Sequence, residues 1–136
     1  MSLSCYRESI DKQRDGAPIY LAGMTFYLRR WGTDESQEFL KALNRKLFGP
    51  FHKQQVSDQN LIYSEWLCGY GVVNFDGVID AETGQHVVYS AESARGIFAN
   101  PEYFLSLNHD LINCAMSFEY YLAEEAEEDL EELKKK

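Results

Sequence analysis

The chain has 136 residues, 45% of them hydrophobic and 14% aromatic, which supplies one ordinary core and is too apolar for a disordered chain. Its formal net charge of −9 argues against binding a nucleic-acid backbone or an anionic membrane surface, since both require clustered cations. No run of residues approaches the length of a membrane span, and Met1–Ser9 lacks the shape of a signal peptide.

Residues 1–16 are polar and end in Arg14–Asp15–Gly16, which reads as a loosely held arm with one helical turn around Tyr6–Asp11. Two runs rich in β-formers follow, Ile19–Leu21 and Met24–Trp31, separated by Ala22–Gly23. This spacing predicts a hairpin in which Gly23 supplies the positive φ of a tight turn, with Met24, Phe26 and Leu28 on one face. Gly32–Thr33 ends the second strand. Thr33 is placed to cap a helix opening with Asp34–Glu35, whose apolar face is Phe39, Leu40, Leu43 and Leu47. Gly49–Pro50 stops that helix.

Phe51–Val56 reads as a connector and Ser57 as the cap of the next helix. Leu61, Ile62, Trp66 and Tyr70 suit burial there, and Gly69 and Gly71 close it. The segment Val72–Asp80 followed by His86–Tyr89 predicts a second hairpin turning through Glu82–Thr83–Gly84. Ser90 caps a short helix over Ala91–Phe98. Asn100, Pro101 and Glu102 then give a strong helix start: a side-chain cap, a proline whose missing N–H costs nothing, and an acid at the positive end of the dipole.

From there Phe104, Leu107, Leu111, Ala115, Phe118 and Leu122 recur at helical spacing, and Ala126, Leu130 and Leu133 prolong the stripe. If fully helical it would run about thirty residues, on the order of 45 Å. Leu105, Ile112, Tyr120 and Tyr121 lie off that face. The run Glu124–Glu132 carries seven acids in nine positions, and several meet as like charges at i, i+4. Glu131/Lys135 and Glu132/Lys136 have the favourable order. The first half of the stripe is expected to be core. The second half is expected to be a mobile arm that meets a partner or another copy, with Phe118, Tyr121, Leu122, Leu130 and Leu133 as partner-binding residues.

Nothing in the chain spells out a reaction. His52, His86 and His109 have no second His or Cys at i+3 or i+4, so no zinc pattern exists. His109 and Asp110 point to different helix faces. Gly69–Tyr70–Gly71 is too short for a phosphate loop. Asp76, Asp80 and Glu82 miss the spacing of a calcium loop. Cys5, Cys68 and Cys114 are odd in number and far apart, which reads as reduced thiols, inert where they sit among apolar helical residues. The expectation is a non-enzymatic protein with no cofactor and no metal.

The resulting architecture is α+β and mainly α-helical, with four helices, one or two small antiparallel β-hairpins and a long C-terminal helix. It forms a single domain over 1–136: the arm at 1–16, a folded core at 17–123 and an acidic helical or frayed tail at 124–136.

Within residues 67–122, an apolar helix is followed by Gly77–Val78–Ile79–Asp80 with Gly84, then by the helix start Tyr89–Ser90–Ala91–Glu92 and a terminal apolar stripe. This order resembles the tail assembly chaperones of long-tailed bacteriophages of the lambdoid, siphovirus type. The stretch FYLRRWGTDESQEFLKAL, Phe26 to Leu43, is similar to the strand-then-helix opening of that group. The match runs from about Ile19 to Lys136, and its motifs are structural. The resemblance implies action in the host cytoplasm, binding of the tape-measure protein, self-association, and recruitment of the major tail protein through a longer product made by programmed frameshifting. Lys134–Lys136 fits an A-rich slippery site, which inspection of the codons would test. Two rival expectations are an acidic phage-encoded inhibitor or interaction module, which the one-sided charge fits poorly, and a small hydrolase using His86 or His109 with a carboxylate.

Overall fold

The computed structural model describes residues 3–53 and 55–134. At its centre is a three-stranded antiparallel sheet in the order β1-β2-β3: β1 is Ala17–Leu21, β2 Met24–Leu28 and β3 Val72–Asp76. The first two strands form the expected hairpin. Ala22 and Gly23 both take positive φ, 50° and 81°, the backbone of a turn whose twist matches that of the strands. Alternation then sorts the side chains: Ile19, Phe26, Leu28 and Phe75 go inward and Tyr20 outward. Between Tyr27 and Leu28 the register with β3 shifts, pairing Tyr27 with Asn74 but Leu28 with Val72, which is a β-bulge.

Six α-helices surround the sheet among the described residues: α1 Ile10–Asp15, α2 Asp34–Leu47, α3 Val56–Trp66, α4 Ala91–Phe98, α5 His109–Met116 and α6 Glu124–Lys134. The class is thus α+β and mainly helical, with six helices where the periodicity led us to expect four. Local caps set several of them. The Thr33 hydroxyl accepts the Ser36 N–H at 3.2 Å, and Ser90 and Ser93 cap α4 reciprocally at 2.8–2.9 Å. The start of α3 differs from expectation. Asp58 reaches back to accept the Gln55 N–H at 2.8 Å, so Gln55 rather than Ser57 takes the cap position.

After α3 the helical run continues through a π-helical turn, Leu67–Gly71, passing Gly69 and ending at Gly71, after which β3 begins. Both glycines also serve close packing. A Cβ on Gly71 would lie 2.3 Å from the Trp66 ring, and one on Gly69 would lie 2.9 Å from Phe39. Trp66 is fully buried and donates its Nε1–H to Ser36 Oγ at 2.9 Å. Around it Leu28, Leu40, Leu43, Ile62, Leu67, Phe98, Leu111 and Ile112 complete the core, each aliphatic or Phe side chain contributing about 1.5–3 kcal/mol on full burial.

The second expected hairpin is a looped turn rather than two strands. One bridge, Ile79 with His86, and a Val87 N–H···Val78 O bond of 2.9 Å hold it. The Asp80 carboxylate occupies the turn by accepting the Glu82 and Thr83 N–H groups, an Asx turn that closes locally without extending a ladder.

The C-terminal third departs furthest from the reading of one continuous helix. Asn100 does cap the Pro101–Tyr103 turn, accepting the Glu102 N–H at 3.0 Å. A π-helical turn, Phe104–Asn108, follows. It shifts the phase of the stripe, and Leu111, Ile112, Cys114 and Ala115 of α5 then face the interior. At Ser117 the backbone becomes extended (ψ 126°), Phe118–Tyr121 is a 3-10 turn, and Leu122 is extended again (ψ 142°). Tertiary bonds cause the break. The Ala115 carbonyl accepts from Trp31 N–H at 3.0 Å and from Arg30 Nη1 at 2.8 Å, instead of from the next helical turn. Ser9 N–H donates to the Tyr121 carbonyl at 2.7 Å, Ala123 N–H donates to the Arg7 carbonyl at 2.9 Å, and Glu8 pairs with Leu122 as an isolated bridge.

The same bonds order residues 3–16, which belong to the segment expected to be loosely held. Leu3–Tyr6 is a 3-10 turn with Cys5 buried, and α1 begins at Ile10 with Ser9 as its cap. Glu8 pairs with Arg30 at 2.7 Å, and α6 lies against the Leu3–Tyr6 turn. Both ends of the described chain therefore meet.

Candidate interaction surfaces

The titratable residues do not converge on a reacting centre. His52 Nε2 lies 2.7 Å from Asp58 Oδ2 and its ring stacks on Phe48. His109 Nε2 lies 3.1 Å from Asn60 Oδ1, with the ring edge-on to Tyr63. His86 sits exposed at the end of the 80–86 turn. Hydrogen bonds from His52 and from the Gln55 N–H hold the Asp58 carboxyl below the usual range. The Thr83 and Glu82 N–H groups do the same for Asp80. Burial pushes the Cys68 thiol up to about 11 and raises Cys114 as well, which leaves both poor nucleophiles at neutral pH. Among the described residues no group of three His, Cys, Asp or Glu could hold a metal ion, and no helix is long and apolar enough to cross a membrane.

The structure divides the five residues expected to bind a partner. Tyr121 is fully buried and Leu122 is 1% exposed, so both belong to the core. Phe118 is half-buried, its ring 5.0 Å from that of Tyr6. Leu130 is half-buried and Leu133 is 42% exposed. Leu122 and Leu130 line a cleft of about 440 Å³ whose other walls are Glu119, Glu124, Glu127, Glu128, Glu131 and Lys134. Cations hold the acidic helix in place. Lys12 Nζ donates to Glu127 Oε1 at 2.9 Å and to the Leu122 carbonyl at 2.7 Å, while Arg7 and Lys134 pair with Glu125 and Glu119 at 3.8 and 3.6 Å. Ala126 is the one fully sealed α6 position among those described. The expected pairs to Lys135 and Lys136 lie outside the described residues.

A second cleft, of about 490 Å³, opens on the opposite kind of surface. Its floor is apolar: Met24 and Phe26 from β2, Val78 and Val87 from the looped turn, Ile97 from α4, and Leu107 from the π-helical turn. Ile79, 55% exposed, forms part of the lip, and Asp80, Glu82 and Glu102 stand at the wall with Asn100 and Tyr103. Sequence reasoning missed this cleft because its walls come from separate segments. The one available signal was Val78–Ile79, an apolar pair beside a turn, with one of the two exposed.

Comparison with known protein families, with curated proteins and with solved structures finds no match.

Proposed function

We propose that the chain is a non-enzymatic tail assembly chaperone of a long-tailed bacteriophage, acting in the host cytoplasm. In this reading it binds the tape-measure protein and helps recruit tail tube subunits during tail morphogenesis. One observation carries the proposal beyond the sequence resemblance. The Gly77–Asp80 motif that contributes to the resemblance supplies Val78, Ile79 and Asp80 to the lining of the apolar cleft, and Phe26, which opens the similar amino-terminal stretch, lines it too. A chaperone of this kind must offer apolar surface to a helical client while remaining soluble, and a net charge of −9 serves the second need.

The test is co-expression with the tape-measure protein of the same genome, identified by its gene, followed by affinity capture of the full chain. Retention of the tape-measure protein at low salt, with improved solubility of that protein, is the expected result. Failure to retain it with the chain intact would overturn the reading.

A further inference from the structure

We propose that the cleft floored by Met24, Phe26, Val78 and Ile97 receives an amphipathic helix whose apolar anchors are flanked by lysine or arginine. The proposal rests on the chaperone reading only for which protein carries that helix.

Two properties of the cleft select this occupant. Much of its lining is aliphatic or aromatic, and about 490 Å³ accommodates a few side chains rather than a whole helix. That fits anchors at i, i+3/i+4 and i+7 inserted from a helix lying across the opening. Among the described residues the charged side chains of its lining are Asp80, Glu82 and Glu102, with no lysine, arginine or histidine. Some carboxylates elsewhere on this acidic protein pair with cations, as in Glu8–Arg30, Glu35–Arg14, Glu65–Arg95 and Glu127–Lys12. Among the described residues no ion pair engages Asp80, Glu82 or Glu102. The Asp80 carboxylate accepts the Thr83 and Glu82 N–H groups, which holds its pKa below the usual range. An apolar floor with a one-sign rim complements a helix with an apolar stripe and basic flanks, and it rejects one with acidic flanks by like-charge repulsion.

The experiment uses the full chain and two synthetic peptides of about 18 residues, each with leucines along one helical stripe. One carries lysines beside the stripe and its twin carries glutamates at the same positions. Fluorescence anisotropy should show the lysine peptide binding at least about tenfold more tightly than its twin. The double variant Glu82→Lys/Glu102→Lys should reverse that preference, and Ile79→Ser should weaken binding to both peptides. Should the charge reversal perturb folding, Glu82→Gln/Glu102→Gln should still reduce the salt dependence of binding to the lysine peptide. No binding of the lysine peptide, equal binding of the twins, or an unchanged preference in the double variant would each overturn the proposal. So would a change in sedimentation of the free double variant combined with failure of excess peptide to compete, because the occupant would then be a second copy. The two readings fail separately. Tape-measure protein captured equally by wild type and double variant removes the cleft and keeps the chaperone. Charge-dependent peptide binding without tape-measure capture does the reverse.

Discussion

The hydroxyl of Tyr121 donates to the carbonyl of Leu28 at 3.0 Å across 93 positions of sequence, with the Arg29 carbonyl sharing the proton at 3.1 Å. This buried contact fastens the turn after α5 to the end of β2, and the Arg30 guanidinium lies 5.4 Å from the same ring. Tyr121→Phe keeps the ring and leaves the carbonyls without this donor. The expected cost is about 1–2 kcal/mol in urea unfolding. Burial also raises the Tyr121 pKa above its ordinary 10.0. The unfolded chain then loses its proton at lower pH than the folded one, so stability present below pH 10 falls as pH rises past it. Tyr121→Phe should make that alkaline decline shallower.

Cys68 provides a second, earlier alkaline window. Its thiol, placed 3.8 Å from the Ala94 carbonyl, is raised from 9.0 to about 11, chiefly by burial. The linkage has the same sign: the contribution is complete below pH 9 and is lost between pH 9 and about 11. Cys68→Ala should flatten the stability profile across that window and leave the decline attributed to Tyr121. Alkylation of Cys68 by iodoacetamide at neutral pH should be slow until the chain is unfolded.

The turn between β1 and β2 holds a correctable strain. Ala22 has φ 50°, a left-handed conformation that costs an L-residue with a Cβ about 1–2 kcal/mol. Asparagine tolerates this region, so Ala22→Asn should stabilise the protein by about 0.5–1 kcal/mol. Ala22→Gly should gain less, since it adds freedom to the unfolded chain. Ala22→Val should destabilise, and thermal unfolding of the three variants would establish the order.

Features with local causes were readable from the chain. The hairpin followed from alternation around Ala22–Gly23, and α2 and α4 followed from Thr33 and Ser90, whose partners are three residues away. Features decided at a distance were not. The apolar stripe runs through Ser117 without interruption, yet the helix stops there because Trp31 and Arg30 claim the carbonyl of Ala115. Tyr121 and Leu122 looked available to a partner because the strand end and amino-terminal arm that cover them lie roughly a hundred positions earlier. Gln55 and Ser57 were both capable of capping α3, and Asp58 decided between them by reaching back to Gln55. The apolar cleft combines β2, the 78–87 turn and the 97–107 segment. No single window of sequence contains it.

Gly71 marks where the fold has no room. A Cβ there would meet the Trp66 ring at 2.3 Å, and that ring is fully buried and tied to Ser36. A rigid indole cannot move aside as a flexible side-chain tip would. Gly71→Ala should therefore cost about 2–3 kcal/mol through overpacking. Tryptophan emission should shift to the red as the Trp66 ring is displaced. A stable variant with unchanged emission would show that the π-helical turn relaxes to admit the methyl group.

Lys12 is one of the anchors that tie α6 to the body of the protein. Its ammonium group bonds both the Leu122 carbonyl, just before the helix, and Glu127 within it. The helix crowds Glu124, Glu125, Glu127 and Glu128 into its first turns, so removing an anchoring cation leaves their mutual repulsion less opposed. The Lys12–Glu127 pair is partly exposed, so its net worth is limited by solvent screening. Lys12→Gln should cost about 1 kcal/mol at low salt, and Lys12→Glu more. Both losses should shrink at about 1 M salt, where the screening length falls to about 3 Å. Hydrogen exchange should localise the effect: faster exchange over Glu124–Lys134, with β1 and β2 unchanged. Uniform acceleration through the whole chain would instead mean that α6 and the sheet unfold as one unit.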